Sequence, residues 1–193
     1  MEQDGDMKEE EHGKRGKAVR ESVSFILYLI VIVVLTFLMI RYVGQRTRVD
    51  GSSMENTLTN GDNLIVDKIS YRFHEPERFD IIVFPYQYKE DTYFIKRIIG
   101  MPGETVQITD KGEILINGEE LVESYGREVI KDPGLASDPI TLGEDEYFVM
   151  GDNRNYSKDS RFPDVGNIKR VDIIGKAWLR IYPFDKIGFI RHQ

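Results

Sequence analysis

The chain contains no cysteine. That excludes disulfides, thiolate metal sites and a cysteine nucleophile, and it assigns no redox compartment. Histidine is almost as scarce. His12 lies in a polar N-terminal stretch and His192 is the penultimate residue. His74 falls in the acidic, proline-containing segment Phe73-His74-Glu75-Pro76-Glu77-Arg78, which reads as a surface loop. No histidine is therefore placed for a Ser/His/Asp triad. Zinc spacings such as H-E-x-x-H and the glycine-rich phosphate loops are also missing, so neither metal nor cofactor is expected. Basic charge is in deficit: 26 Lys and Arg stand against 33 Asp and Glu, a net charge of -7. A nucleic-acid partner, which needs a basic face, is excluded on that ground.

One long apolar run is present. Val23 to Ile40 reads VSFILYLIVIVVLTFLMI, 18 residues without a charge, bracketed by Arg20 and Arg41. As a helix it would extend ~27 Å, close to the thickness of a bilayer core. A cleaved signal peptide would have a shorter apolar region and a small-x-small site after it, and Met39-Ile40-Arg41-Tyr42-Val43 offers none. A buried core helix would carry a polar stripe, and none is visible. The run is read as one transmembrane anchor, residues 22–43, after a polar tail, residues 1–21, expected to be disordered. Lys14, Arg15, Lys17 and Arg20 precede the span; Arg41, Arg46 and Arg48 follow it. The small positive-inside bias orients the N-terminus to the cytoplasm and the rest of the chain outside.

Residues 44–193 read as a single, mainly β domain built on antiparallel sheet. Short β-branched and apolar runs recur at Leu64-Ile65-Val66, Ile81-Ile82-Val83-Phe84, Tyr93-Phe94-Ile95, Thr105-Val106-Gln107-Ile108, Glu146-Tyr147-Phe148-Val149-Met150 and Lys176-Ala177-Trp178-Leu179-Arg180-Ile181. Gly, Pro, Asn and Asp separate them, and no long 3.6-residue period follows residue 50. Ile114-Leu115-Ile116 runs into Asn117-Gly118, a strong hairpin signal. Residues 111–138 are more polar and read as a hairpin with a loop, peripheral to the main sheet. The stretch from Arg41 to Arg48 is short, which keeps the domain close to the membrane surface.

Two polar elements and one lysine carry chemistry. Ser53 follows Gly51-Ser52 and precedes Met54; a Gly-flanked turn can present a hydroxyl and offer backbone N–H groups to an oxyanion. On these residues alone an ordinary loop is the better reading. Lys96 stands among Tyr93-Phe94-Ile95 and Ile98-Ile99. Such neighbours can desolvate an amine and lower its pKa, although a strand lysine facing water fits the same pattern. Gly151-Asp152-Asn153-Arg154 and Ser157-Lys158-Asp159-Ser160-Arg161 form a dense polar cluster after a strand. It is a solvated turn or a source of hydroxyls and ion pairs that hold an amine.

Taken together these segments resemble the type I signal peptidases, the Ser/Lys peptidases of the bacterial cytoplasmic membrane. The family pattern S-M-x-P-T-L is matched by Ser53-Met54-Glu55-Asn56-Thr57-Leu58. Further blocks match at Gly61 to Lys68, at Phe94-Ile95-Lys96-Arg97-Ile98-Ile99-Gly100-Met101-Pro102-Gly103-Glu104, and at Gly151 to Arg161, which follows G-D-N-R-x-x-S-x-D-S-R. All four stand in family order. The single span and short domain resemble the compact Gram-positive form. The resemblance implies an extracytoplasmic endopeptidase that removes signal peptides from secretory preproteins with small-x-small cleavage sites. It implies Ser53 as nucleophile and Lys96 as general base. Ser157 would orient the amine, Asp159 and Arg161 would form a supporting ion pair, and Asp152 would order the loop. Met54 and Ile95 would line shallow pockets for small side chains. The Ser53 N–H would serve the oxyanion. Some members add a hydroxyl two residues earlier, where this chain has Gly51, so any contribution to substrate binding there comes from backbone.

Asn56 departs from the family proline, which fixes φ and lacks a donor; a looser turn is expected. Tyr156, where asparagine is common, is a milder change. Two other readings share these residues. One is a catalytically impaired, anchored β domain that binds peptides or export machinery. The other is a self-cleaving Ser/Lys repressor, which would carry a DNA-binding helical module where this chain has its apolar run.

Overall fold

A computed structural model describes residues 3–38 and 44–190, with side chains of the N-terminal helix described from Arg20 onward. The chain divides into two compact units, residues 1–43 and 44–193.

The first unit is one helix, α1 (Gln3–Leu38). Its 19 residues from Arg20 to Leu38 are long and apolar enough to cross a membrane. Every large apolar side chain described from Val23 to Leu38 is exposed among the described residues. Residues 39–43 of the expected anchor lie outside the described residues. The tail expected to be disordered is helical instead from Gln3. The sequence there includes Lys8, Glu9, Glu10, Glu11, Lys14 and Arg15, all residue types of high helix propensity. They extend a helix already nucleated by the apolar run, which removes the costliest step.

The second unit is mainly β, with every strand pair antiparallel and short 3-10 turns between strands. Its strands are β1 (Gly44–Arg48), β2 (Asn63–Asp67), β3 (Ile81–Pro85), β4 (Tyr93–Gly100), β5 (Thr105–Ile108), β6 (Ile114–Ile116), β7 (Glu119–Glu120), β8 (Ile140–Thr141), β9 (Glu146–Met150), β10 (Ile168–Lys169), β11 (Gly175–Tyr182) and β12 (Gly188–Phe189). The larger sheet runs β1-β2-β11-β3-β4-β9-β10, with β12 against β11; the smaller runs β7-β6-β5-β8. Each run singled out in the sequence is a strand. The strands not anticipated, β1, β7, β8, β10 and β12, are short or polar. Asn117 and Gly118 make the β6–β7 turn with φ of 53° and 86°, the left-handed pair that a tight hairpin demands.

Both faces of the larger sheet are covered, so β3 reads as unbroken Ile-Ile-Val-Phe rather than as an alternation. Ile81, Val83 and Ile95 join Met54, Leu58 and Leu64 in one core. Ile82, Phe84 and Ile98 join Tyr147 and Val149 in another. A third core underlies the smaller sheet, where Ile114, Ile130 and Ala136 from the polar 111–138 stretch pack with Val106, Phe148 and Met150. This stretch therefore supplies core as well as loop.

Candidate active site

Strand β4 sets the site through its period of two. Ile82 stands opposite Lys96 and Ile81 opposite Arg97. Successive side chains leave opposite faces, so Lys96 and Arg97 emerge on different sides of the sheet. Both are buried, at 3% and 0% exposure.

Ser53 is held by a loop that spans the β1–β2 hairpin. Val49 and Gly61 close its base, with Val49 N–H donating to Asp62 O (2.8 Å) and Gly61 N–H to Val49 O (2.9 Å). Gly51 takes φ 103° and donates to Asn60 Oδ1, a conformation that L side chains avoid. Met54 and Leu58 plug the loop into the core. Asn56, in place of proline, sits in a turn that is nevertheless closed, since the Thr57 and Leu58 N–H groups both donate to Met54 O (2.9 and 2.8 Å).

These two elements bring Lys96 Nζ to 2.9 Å from Ser53 Oγ, and the same amine donates to Ile95 O at 3.0 Å. Burial pushes the Lys96 pKa down to about 8, against a smaller upward pull from the Asp159 and Asp152 carboxylates. Desolvation wins because each of these acids is paired with an arginine instead, Asp152 with Arg97 and Asp159 with Arg161. An amine poised there holds a lone pair in a useful fraction of molecules near neutrality, next to a hydroxyl that it can deprotonate.

The Gly151–Arg161 segment braces this pair. Asn153 N–H donates to Ser53 O (3.0 Å) and Asn153 Nδ2 to Ser52 O (3.1 Å). Gly151 packs so closely that a Cβ there would overlap both Ser53 O and Ser157 Oγ. Asp159 receives both arms of Arg161 (2.8 and 2.9 Å) and the Gly151 N–H (3.1 Å). Asp152 receives Arg97 Nε and Nη2 (2.8 and 2.7 Å) and the Thr57 hydroxyl (2.5 Å), with both charged partners fully buried. Ser157 is buried beside Gly151, but its hydroxyl has no hydrogen-bond partner among the described residues and does not bond Lys96.

Sequence reasoning passed over Arg97 as a neighbour of Lys96. Strand alternation carried the missing signal: a charged residue next to a buried lysine must face the other side, and if buried it needs an acid. Thr57, Asn153 and Gly151 were within the matched blocks, but their contacts are visible only in three dimensions.

A groove of about 310 Å³ opens over the pair, lined by Arg48 to Met54 on one side and Tyr93 to Lys96 on the other, with Tyr156 and Lys158 at its rim. Gly51, Met54 and Ile95 all border it. Strand β9 pairs with β4 only from Arg97 onward, so among the described residues no strand covers that edge of Tyr93 to Ile95 along this groove.

The sequence matches the signal peptidase, peptidase S26 family over residues 21–182. It is 42% identical over 154 residues to signal peptidase I of Leptolyngbya laminosa, covering 76% of this chain and 73% of that protein. It is 38% identical to a probable signal peptidase I-2 of Synechocystis (77% and 68% covered) and 34% identical to signal peptidase I P of Bacillus subtilis subsp. natto (86% and 91% covered). The chain belongs to the signal peptidase family.

Proposed function

We propose that the chain is a membrane-anchored endopeptidase that removes signal peptides from secretory preproteins, with Ser53 as nucleophile and Lys96 as general base. The 2.9 Å contact between a buried amine and a loop hydroxyl carries this reading. In the neutral form the Lys96 lone pair takes the Ser53 Oγ proton as Oγ attacks the scissile carbonyl. The protonated amine then delivers that proton to the leaving nitrogen. Once the new N-terminus has left, Lys96 removes a proton from water and the acyl group is hydrolysed. The Ser53 N–H donates to no group among the described residues, which leaves it available to the oxyanion. Family membership supports the reaction, and the groove's free edge beside Tyr93 to Ile95 supports binding of the preprotein as an added strand.

Anchoring is supported by α1, whose apolar run is exposed among the described residues; in lipid that exposure carries no penalty. Lys and Arg counts on its two sides favour a cytoplasmic N-terminus and an extracytoplasmic active site.

The test is cleavage of one preprotein by the full chain in detergent, with Ser53→Ala and Lys96→Met beside it. Each variant loses at least ~1,000-fold, because the two groups act as a unit. Wild-type rate in either one refutes the dyad.

A further inference from the structure

The Lys96 amine is covered by an aromatic wall that ends in a surface ion pair. Lys96 Nζ lies 4.8 Å from the centre of the Phe94 ring. Phe94 stacks on Tyr86, with centroids 4.5 Å apart and planes at 8°, and meets the Phe84 edge at 6.1 Å. Tyr86 is fixed from outside: its hydroxyl donates to Asp164 Oδ2 (3.2 Å) and accepts from Lys158 Nζ (2.9 Å). Lys158 also pairs directly with Asp164 and lies over the Tyr86 ring. The whole chain of contacts runs from the base to the groove rim, since Phe94, Lys96 and Lys158 all border the groove.

We propose that Tyr86, Lys158 and Asp164 form a clamp that fixes the Phe94 ring over the Lys96 amine and keeps water from it. Phe94 and Tyr86 are thus positioning residues for the base. The proposal rests on Lys96 being that base, but it concerns what surrounds the amine.

Two effects of the ring oppose each other. Its bulk excludes water, which favours the neutral amine; its π face attracts the ammonium, which favours the charged one. Exclusion dominates in this proposal, in line with burial as the largest influence on Lys96, ahead of the Asp159 and Asp152 carboxylates. The charged groups around the amine are few. Asp152 and Asp159 act on it from the loop after β9, while Arg48, Asp50 and Lys158 stand along the groove. The Lys158–Asp164 ion pair does not itself titrate in the window that matters. Hydrogen bonds from Lys158 to Asp164 and Tyr86 push the Lys158 pKa up to about 12, and the same contact with Lys158 lowers that of Asp164. Ionisation of that pair is therefore constant while Lys96 loses its proton.

The experiment reads the Lys96 midpoint directly, by NMR titration of ¹³Cε-labelled lysine in the full chain in detergent micelles, alongside the pH profile of preprotein cleavage. The NMR arm needs no nucleophile, so a wild type that does not cleave overturns the proposed function and still leaves the clamp tested. Phe94→Ala admits water and moves the midpoint alkaline by about one unit or more; Phe94→Leu keeps the cover, loses the π face and moves it acid by about half a unit. Phe94→Tyr restores the wild-type value. Tyr86→Ala shifts in the alkaline direction and Tyr86→Phe, which keeps the stack but not the hydroxyl, shifts less. Lys158→Met, an exposed change that the fold tolerates, gives a small alkaline shift. Unchanged midpoints in Phe94→Ala and Tyr86→Ala overturn the clamp, even if activity falls. If those variants do not fold, an unchanged midpoint in both Tyr86→Phe and Lys158→Met does the same.

Discussion

Replacing Lys96 by methionine should destroy activity and yet stabilise the domain, by an amount that depends on pH. Burial lowers the amine from 10.5 to about 8. At pH 7 the side chain is mostly charged in both folded and unfolded chains, and desolvating that charge costs the folded state about 3 kcal/mol. Between pH 8 and 10.5 the unfolded chain binds more protons than the folded one, so wild-type stability rises with pH. The remaining penalty at pH 9.5 is about 1 kcal/mol. Methionine keeps the apolar stem and never pays this cost. It does leave the Ile95 carbonyl without the amine, which offsets about 1 kcal/mol. The variant should therefore gain ~2 kcal/mol at pH 7 and close to nothing at pH 9.5. Urea unfolding of the full chain in detergent measures this, through the fluorescence of Trp178, the only tryptophan, which packs on Phe189. A difference between wild type and variant that stays constant from pH 7 to 9.5, or a variant less stable at pH 7, refutes the argument that Lys96 is a desolvated amine.

Gly151→Ala should lower kcat at least ~10-fold while the chain stays folded, because its Cβ would press on the Ser53 carbonyl and displace the Ser53 hydroxyl from Lys96; an unchanged kcat in preprotein cleavage counts against this packing. Ser157→Ala should leave urea stability unchanged, since the hydroxyl it removes is buried without a partner among the described residues; a loss above ~1 kcal/mol contradicts this. Asp152→Ala should cost about 3–5 kcal/mol of stability, because it strands a fully buried Arg97 guanidinium; a loss below ~1 kcal/mol in the same urea assay contradicts that assignment.

The β domain was legible where at least three apolar residues run together, as in β2, β3, β4, β9 and β11. Strands such as β7 and β10 are only two residues long, too short for any alternation to register. The polar 111–138 stretch concealed Ile130 and Ala136, whose burial depends on partners from β5 and β9. Ser53 and Lys96 stood out in the sequence through the blocks around them, and the structure places them in contact. Neither Arg97 nor the Phe94–Tyr86 wall could be read in the same way. Their roles arise from faces and stacking between residues on neighbouring strands and a distant loop, for which the order of residues carries no signal. The helical tail before Arg20 was missed because composition was weighed without the helix that follows it.

The dependence of kcat/KM on pH is the most direct test of the central claim, that Lys96 acts as a neutral base toward Ser53. It is measured on preprotein cleavage by the full chain in detergent between about pH 6 and 10. The pKa of about 8 on Lys96 predicts a roughly tenfold rise per unit at the acid end, about a tenth of the maximum at pH 7, and a plateau above pH 9. A rate that is flat across this range, or that levels off below pH 7, would contradict a lysine base.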